Sequence, residues 1–314
     1  MNTQENELPR IRSVKRCVIT PSMLILTALG ISDVSVPFYF GASDKLKISG
    51  VAALSIAKNG IGRAIRNNRP YIHLFNVWAT GYYHWLLEVA PKFYLFESEI
   101  RKSVVLIPRD TPKFITEFLQ LFEFAETRIV DTCLYMSDVM VVTNPKAGEH
   151  DRKFVVPFRD WVKKALNIGN TKPFRKVYVS RRLAARRKVI NDLQVSEILA
   201  AKGFETHYLE TLSFSDQVQL FSECKVLVTI HGAGIANSLF MPAGGRVLEL
   251  FPQPTNAEDQ INHCFSNLAT TVGLNHEFLF CSRKSDSRTF NFHLDDIQVD
   301  LSSLNLSIQD IDLG

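Results

Sequence analysis

The chain has 314 residues, 46% of them hydrophobic and 22% charged, which is typical of a globular protein with room for two hydrophobic cores. Its formal net charge of +4 excludes a bulk electrostatic argument for nucleic-acid binding. The five cysteines are scattered and form no CxxC pair, which argues against a disulfide framework or a structural zinc site and fits a reducing compartment.

The first half of the chain begins with a predicted polar tail at residues 1–14, which lacks the apolar core of a signal peptide. No run of the sequence approaches the ~20 apolar residues that cross a bilayer. These features predict a cytoplasmic protein whose membrane contact is at most peripheral, at the inner membrane face. The pattern then predicts strands at 71–76, 103–107 and 139–142, and helices at 82–97, from Pro112, and at 154–166.

The second half alternates strands and helices more regularly. Strands are predicted at 176–180, 206–209, 226–230, 246–251 and 277–281, with helices at 192–201, 213–224, from 232 and at 257–271. Such alternation indicates parallel strands with helices on both faces. The sequence therefore predicts two α/β domains with a cleft between them, at residues 15–170 and 171–284, joined by a linker at 171–173. Residues 285–314 are predicted to pack back on the body.

The segment 226–242, VLVTIHGAGIANSLFMP, joins an apolar strand to a helix through His231, Gly232, Ala233 and Gly234. Ligands bind beyond the carboxyl ends of parallel strands, where the N–H groups of the next helix favour an anion such as a diphosphate. The glycines would let a phosphate approach the main chain, and His231 would donate a hydrogen bond to it. The alternative is a tight turn that needs glycine for its geometry alone.

A run of basic residues lies at 178–192, YVSRRLAARRKVIND, and begins where another strand ends. Arg181 lies at that strand end and is therefore a candidate to bind the same diphosphate, since a guanidinium can clamp phosphate through two hydrogen bonds; Arg182, Arg186 and Arg187 follow it closely. Two other interpretations stay open, a solvated basic face and a weak RNA patch ending at Lys188. No aromatic side chain that could stack on a base lies among these arginines.

His84 and Glu88 are four residues apart on the predicted helix 82–97 and so share one face. A histidine beside a carboxylate can supply a general base; we take Glu88 as the base and His84 as its partner, although the roles could be exchanged. The alternative is a hydrogen-bonded pair on the helix surface. Glu249 ends the next strand after the glycine turn and is a candidate to accept the hydroxyls of a ribose, the alternative being a solvent-facing residue.

These segments, in this order, resemble glycosyltransferase family 61, which includes bacterial capsule and lipopolysaccharide enzymes, plant xylosyltransferases and eukaryotic protein O-GlcNAc transferases. The resemblance rests on YHWLLE at 83–88, on the tyrosine-x-serine-arginine strand end at 178–181 with its trailing arginines, and on HGAG-x-x-N with a following V-x-E-L at 231–250, which includes Asn237 and Glu249. Asp192 stands where glutamate is more usual.

The resemblance implies a GT-B fold of two Rossmann-like domains, with the donor in the C-terminal one and the acceptor mainly in the N-terminal one. It also implies an inverting, metal-independent transfer of a sugar from a nucleotide-sugar, most often a UDP-sugar, to a glycan or lipid-linked glycan in surface polysaccharide biosynthesis. The donor-binding residues would then be Arg181, Arg182, Arg187, His231, Gly232, Ala233, Gly234, Asn237 and Glu249. No cofactor is expected, and the DxD triplet Asp310-Ile311-Asp312 is interpreted as a frayed tail.

Two other functions remain open at this stage. A nucleotide- or glycan-binding module without turnover would keep the glycine turn and Arg181 but would be indifferent to the loss of Glu88. An RNA-binding protein would use the basic run, and its affinity for RNA would fall steeply with salt.

Overall fold

A computed structural model describes residues 8–36, 42–63, 68–124, 126–169, 172–255, 259–284 and 294–309. The chain divides into two compact units, Met1–Trp161 and Val162–Gly314, and each unit has its own β-sheet accompanied by helices. The fold is therefore of the α/β class, as predicted. Within the described ranges, none of the helices combines the length and the hydropathy that a membrane-spanning segment needs.

The sheet of the first unit is mixed. Its strands are β1 (Ile11–Ile19), β2 (Ile25–Thr27), β3 (Gly30–Ile31), β4 (Ile61–Arg63), β5 (Tyr71–His73), β6 (Val104–Pro108), β7 (Thr127–Val130) and β8 (Cys133–Val142). They are ordered β3-β2-β1-β8-β5-β6-β7, and β4 also pairs with β8. The strands β5, β6 and β7 run parallel to β8 or to each other, whereas β1 is antiparallel to both β2 and β8.

The predicted polar tail at 1–14 is too long, because β1 begins at Ile11. Arg12, Ser13 and Lys15 are exposed, yet their main chain pairs with β8. Composition missed this strand since main-chain pairing holds it in the sheet while its polar side chains stay in solvent. Residues 1–7 of the predicted tail lie outside the described residues.

The helices of the first unit are α1 (Ala42–Asn59), α2 (Tyr82–His84), α3 (Ala90–Leu95), α4 (Glu97–Arg101) and α5 (Lys113–Leu121), and α6 (Arg152–Ala165) contains the boundary between the two units. A single π-helical turn, Trp85–Val89, separates α2 from α3, so the predicted helix 82–97 is not regular. Pro91 lies in the first turn of α3 and has no N–H to donate to the carbonyl of Leu87. The interrupted α-helical bonding gives a local reason for the wider turn, and such turns are frequent at functional sites.

Aromatic side chains fill the core beneath this turn. Trp85 is fully buried and packs against Phe75, Phe93 and Phe118, with ring centroids 5.4–5.7 Å apart. Phe118 comes from α5. The π turn is therefore anchored by its first residue, and its other face is available to hold polar groups.

The second unit contains the predicted parallel sheet. Its strands are β9 (Arg175–Val179), β10 (Phe204–His207), β11 (Cys224–Ile230), β12 (Arg246–Pro252), β13 (Asn275–Arg283) and β14 (Ile297–Gln298), ordered β10-β9-β11-β12-β13-β14. The strands from β10 to β13 are parallel, and only β14 is antiparallel to its neighbour. The apolar strand β11 lies at the centre with six of its seven residues buried, as a two-sided sheet requires.

The helices of the second unit are α7 (Asp192–Ala201), α8 (Phe214–Ser222), α9 (Cys264–Val272) and α10 (Leu301–Gln309). The helix predicted from residue 232 is a 3₁₀ helix, Ala233–Phe240. The helix predicted at 257–271 starts only at Cys264, while its first two predicted residues lie outside the described part of the chain. Gly273 ends α9 with φ of +79°, a left-handed conformation that favours glycine.

The described residues of the predicted C-terminal tail form β14 and α10. Leu304 and Ile308 of α10 are buried in the same hydrophobic core cluster as Tyr178 and Val195. Residues 285–293 and 310–314 of the predicted tail, which include the DxD residues Asp310 and Asp312, and residue 171 of the predicted linker lie outside the described residues.

Candidate active site

The glycine turn follows β11 at the carboxyl end of the sheet. A Cβ atom added to Gly232 would lie 3.4 Å from Nη1 of Arg181 and 3.7 Å from Nη1 of Arg187. The two arginines therefore meet the main chain of the turn, as predicted for Arg181 and Arg187. A Cβ atom at Gly234 would lie 3.0 Å from Cδ1 of Leu209, so at that position the absence of a side chain permits packing of the turn itself.

Arg181 and Arg187, the arginine pair, have unusual surroundings. Each is only partly exposed, and the buried Nε atom of each has no hydrogen-bond partner. Among the described residues, neither guanidinium forms a salt bridge; Arg181 donates only a long hydrogen bond of 3.4 Å to the carbonyl of Arg186. Two partly buried cations side by side without an anion are costly, and a bound phosphate would relieve that cost.

The pKa values of the arginine pair reflect the same strain. Burial, followed by the charges of Arg181 and Arg186, lowers the pKa of Arg187 to about 10. Burial also lowers the pKa of Arg181, with Glu210 opposing the shift. Arg187 has φ of +57°, a left-handed main-chain conformation that is uncommon for residues other than glycine and is concentrated at ligand sites.

Arg182, the third predicted arginine, differs from the pair. Its side chain is exposed, and it lines a surface pocket with Lys188, Ile190 and Leu193. Its main-chain N–H donates to Ser180 Oγ at 3.2 Å. The structure therefore brings Arg181 and Arg187, but not Arg182, to the glycine turn.

Glu249, the predicted ribose contact, is enclosed within the sheet, and its contact with a ribose stays a prediction. Glu249 is 0% exposed and lies in the middle of β12, and both of its carboxylate oxygens already accept hydrogen bonds. Nδ1 of His231 bonds Oε1, and Nε2 of His276 lies 2.7 Å from Oε2. Burial by itself raises the pKa of Glu249, but the hydrogen bonds and charges of the two histidines outweigh it and hold that pKa below its ordinary value.

His231 is buried with its ring enclosed by aromatic neighbours. The rings of Phe251 and Phe265 pack edge-on against it, with centroids 4.9 and 5.3 Å away. Only 4% of the side chain is exposed. The ring is thus fixed at the strand end by Glu249 and by packing, and a direct hydrogen bond from His231 to a ligand stays a prediction.

Asn237 shapes the turn from inside. It is fully buried, and its Nδ2 donates to Gln217 Oε1 at 3.0 Å and to the carbonyl of Gly234 at 3.3 Å. The amide of Gln217 in turn donates to the carbonyls of Leu209 and Leu212. Asn237 was predicted to bind the donor; its side chain instead ties the 3₁₀ helix to α8. Ala233, the first residue of that helix, is half-buried.

The N-terminal unit contains the second candidate group, built on the π turn. Nδ1 of His84 donates to Oε1 of Glu88 at 2.9 Å, and Nδ2 of Asn76 donates to Oε2 at 2.9 Å. The side chain of Glu88 is 4% exposed, whereas that of His84 is 23% exposed. Glu88, predicted as the base, is therefore enclosed with both oxygens occupied, and the exposed partner is the imidazole.

Two further buried residues, Asn76 and Lys92, lie next to the pair formed by His84 and Glu88. Asn76 Oδ1 accepts from the N–H of Trp78 at 2.9 Å, which fixes the amide so that Nδ2 faces Glu88. Lys92, one helical turn after Glu88, is fully buried and donates to the carbonyl of Leu74 and to Asn144 Oδ1. Burial lowers the pKa of Lys92 to about 7, although the charge of Glu88 opposes the shift.

Asn76, Lys92 and His276 were not singled out from the sequence. Asn76 and His276 act through partners 12 and 27 residues away, a separation that gives no local pattern. Lys92 did carry a signal, since it continues the spacing of His84 and Glu88 by another four residues along the same stretch.

Comparisons with known proteins identify the family of this chain. The family profile described as Glycosyltransferase 61 matches residues 82–248, from the start of α2 to the strand β12. Similar curated proteins are protein O-linked-mannose beta-1,4-N-acetylglucosaminyltransferases 2: that of Xenopus laevis is 33% identical over 110 residues, that of Homo sapiens 32% over 108, and that of Mus musculus 37% over 71.

These alignments are partial on both sides. They cover 34%, 32% and 23% of this chain, and 18%, 18% and 12% of the respective relatives. The matched segments thus span less than a fifth of the length of each of these relatives. What their names state about N-acetylglucosamine and O-linked mannose belongs to those proteins.

Proposed function

The chain belongs to the glycosyltransferase 61 family, and from that premise we propose that it transfers a sugar from a nucleoside-diphosphate sugar to a hydroxyl of a glycan. We propose UDP as the nucleotide, inversion at the anomeric carbon and no requirement for a metal. The proposal also includes the GT-B arrangement, with the donor held by the C-terminal unit and the acceptor by the N-terminal unit.

One observation carries the proposal for the donor. Arg181 and Arg187 place two partly desolvated guanidinium groups beside the main chain of Gly232, with unpartnered Nε atoms. A diphosphate offers several oxygens to such groups. It can also accept hydrogen bonds from the main-chain N–H groups of the following turn. Positive charge supplied by side chains is also what a metal-independent reaction needs where the leaving group becomes more negative.

The N-terminal group supports proton transfer by His84. With Nδ1–H donated to Glu88, the imidazole has the tautomer in which Nε2 carries a lone pair. Among the described residues, no hydrogen bond occupies Nε2. Glu88 would orient the ring and stabilise it once it is protonated, which is the logic of a carboxylate–histidine pair in a hydrolase. We therefore assign the base to His84 and the orienting role to Glu88.

The proposed reaction is a single displacement. The acceptor oxygen forms a bond to the anomeric carbon while Nε2 of His84 removes its proton. The bond between that carbon and the diphosphate oxygen breaks, and its electron pair leaves with the nucleoside diphosphate. The arginine pair stabilises the charge that accumulates there. Attack from the face opposite the departing diphosphate inverts the configuration of the sugar.

Donor binding is the first test. Isothermal titration calorimetry with UDP in EDTA should show binding to the wild-type chain, and Arg187→Ala should weaken it at least tenfold, since a charge-assisted hydrogen bond contributes about 1.5–3 kcal/mol. Arg182→Ala is the matched control, because it removes the same charge from an exposed position of the same segment. Binding that requires manganese would overturn the metal-free proposal. Equal losses of UDP affinity in both variants would show that the arginines act through their general positive charge and not through specific contacts.

The sugar and the acceptor need a transfer assay. UDP-N-acetylglucosamine is the first donor to test, because the relatives' names state that sugar. An acceptor panel should contain O-mannosyl glycopeptides and surface-polysaccharide oligosaccharides, the latter being the acceptors that we propose from the sequence resemblance. Release of UDP coupled to a product of increased mass identifies the pair, and binding of UDP without turnover on any acceptor would favour a binding module.

A further inference from the structure

The buried group around Glu249 contains a histidine that the reaction above does not use. His276, on β13, lies with Nε2 2.7 Å from Oε2 of Glu249, while Oε1 bonds Nδ1 of His231. The three residues come from the end of β11 and from the neighbouring strands β12 and β13. A chain of hydrogen bonds therefore crosses three strands and ends directly before Gly232.

Stability alone does not account for this chain of polar groups. Glu249 is 0% exposed, and His276 and His231 have side chains that are 6% and 4% exposed. Burying a carboxylate is costly, and well-packed apolar residues in place of a buried ion pair are often neutral or stabilising. Aromatic neighbours that could extend such an apolar core are already present, since His276 packs against Phe278 and His231 against Phe251.

The geometry connects His276 to the donor site. A carboxylate held by one hydrogen bond can rotate about its last side-chain bond, whereas one held at both oxygens cannot. His276 therefore fixes the direction in which Glu249 presents Oε1 to His231. His231 directly precedes Gly232 in the chain, and the guanidinium groups of Arg181 and Arg187 lie beside Gly232.

We propose that His276 is a positioning residue for the donor diphosphate, acting through Glu249 and His231 on the glycine turn. The inference rests on the proposed function, because it takes a nucleoside diphosphate as the ligand of that turn. It extends the site to a strand beyond residues 82–248, the part of the chain that the family profile matches.

Two substitutions separate a hydrogen-bonding role from a packing role. His276→Gln keeps an N–H donor for Glu249 but loses the ring, whereas His276→Phe keeps an aromatic ring against Phe278 but has no donor. For the full chain titrated with UDP in EDTA, we expect His276→Phe to bind about tenfold more weakly and His276→Gln to stay within about threefold of wild type. A packing role predicts the reverse order.

His263→Phe is the matched control. Its ring also contacts that of Phe278, with centroids 6.0 Å apart, but within the described residues the histidines that bond Glu249 are His231 and His276. We expect wild-type UDP affinity in this variant. Thermal unfolding of every variant shows whether the fold is retained.

The outcomes distinguish the two proposals. If wild type binds UDP and His276→Phe binds it equally well, the positioning role is wrong while the proposed function stands. The same holds if His276→Gln loses affinity and His276→Phe does not. If the wild-type chain binds no UDP, the proposed donor and this inference are overturned together.

Discussion

Each unit of the molecule contains a histidine whose Nδ1 is bonded to a buried glutamate, and the two pairs differ in what surrounds the histidine. In the N-terminal unit, His84 keeps 23% of its side chain exposed and Glu88 is closed off by Asn76. In the C-terminal unit, His231 is 4% exposed between two phenylalanine rings, and its glutamate is shared with His276. The same hydrogen bond thus leaves the imidazole of His84 partly accessible, whereas the imidazole of His231 is buried and fixed beside the glycine turn.

The largest effect that this difference predicts is on turnover. His84→Gln should lower the transfer rate by about 10²–10⁴-fold, the usual contribution of a general base, with UDP affinity nearly unchanged. Steady-state rates and calorimetry on folded protein measure the two quantities separately.

Glu88→Gln sharpens the same assignment. Glutamine still offers an oxygen to Nδ1–H of His84 but no charge to stabilise the protonated ring, so we expect a loss smaller than that of His84→Gln. A larger loss in Glu88→Gln than in His84→Gln would restore Glu88 as the base. Full activity in both variants would remove the N-terminal group from the mechanism and favour a binding module.

The next effect is on the stability of the fold and concerns the pair His231–Glu249. Glu249→Gln should lower the free energy of unfolding by about 2 kcal/mol at pH 7, because one of two hydrogen bonds to a buried charged group is lost or reversed. Urea denaturation measures this loss, and Glu205→Gln, at a 41% exposed side chain, is the control.

The pH dependence of that stability has a definite sign. The folded state holds the pKa of Glu249 below 4.5, so the ionised carboxylate favours folding. Its contribution is fully present above pH 4.5 and is lost as the pH falls from 4.5 through the folded pKa. Wild type should therefore lose more stability than Glu249→Gln over this acid range. Equal losses would show that other groups dominate acid unfolding.

A smaller effect is expected at Asn76. Asn76→Ala leaves Oε2 of Glu88 without its donor, which should cost about 1 kcal/mol of stability. Turnover should fall several-fold in wild type but no further in the His84→Gln background, because Asn76 acts only through the oriented imidazole. Additive losses of turnover in the double variant would place Asn76 in a separate role.

The contrast between the two pairs also explains what could be predicted from the sequence. His84 and Glu88 are four residues apart on one helix, and the arginine pair lies at a strand end, so local spacing was enough to find them. The parallel direction of β9, β11 and β12 could be predicted from the alternation of strands and helices. Glu249 could be named from the sequence as a site candidate, but its place between His231 and His276 could not, because periodicity does not show which residues of separate strands meet.

The remaining differences have physical causes of the same kind. The π turn depends on a proline whose missing N–H interrupts the helix, and the strand β1 is held by main-chain pairing rather than by apolar side chains. His276 joins the site from a strand that is adjacent only after folding. Long-range pairing of this kind leaves no pattern in a single sequence.

The smallest effect is expected at another histidine–glutamate pair, His207 and Glu205, which lies nearer the surface. Nε2 of His207 is 3.2 Å from Oε2 of Glu205, with side chains that are 25% and 41% exposed. Pairs in such surroundings contribute little, so His207→Ala should change the free energy of unfolding by less than about 0.5 kcal/mol and leave UDP affinity and turnover unaltered. Urea denaturation, calorimetry and the transfer assay on this variant therefore give the baseline against which the losses at the pairs His84–Glu88 and His231–Glu249 are compared. If His207→Ala costs as much as Glu249→Gln, burial of the carboxylate is not what separates the three pairs, and the roles assigned to His84 and His231 lose their common basis.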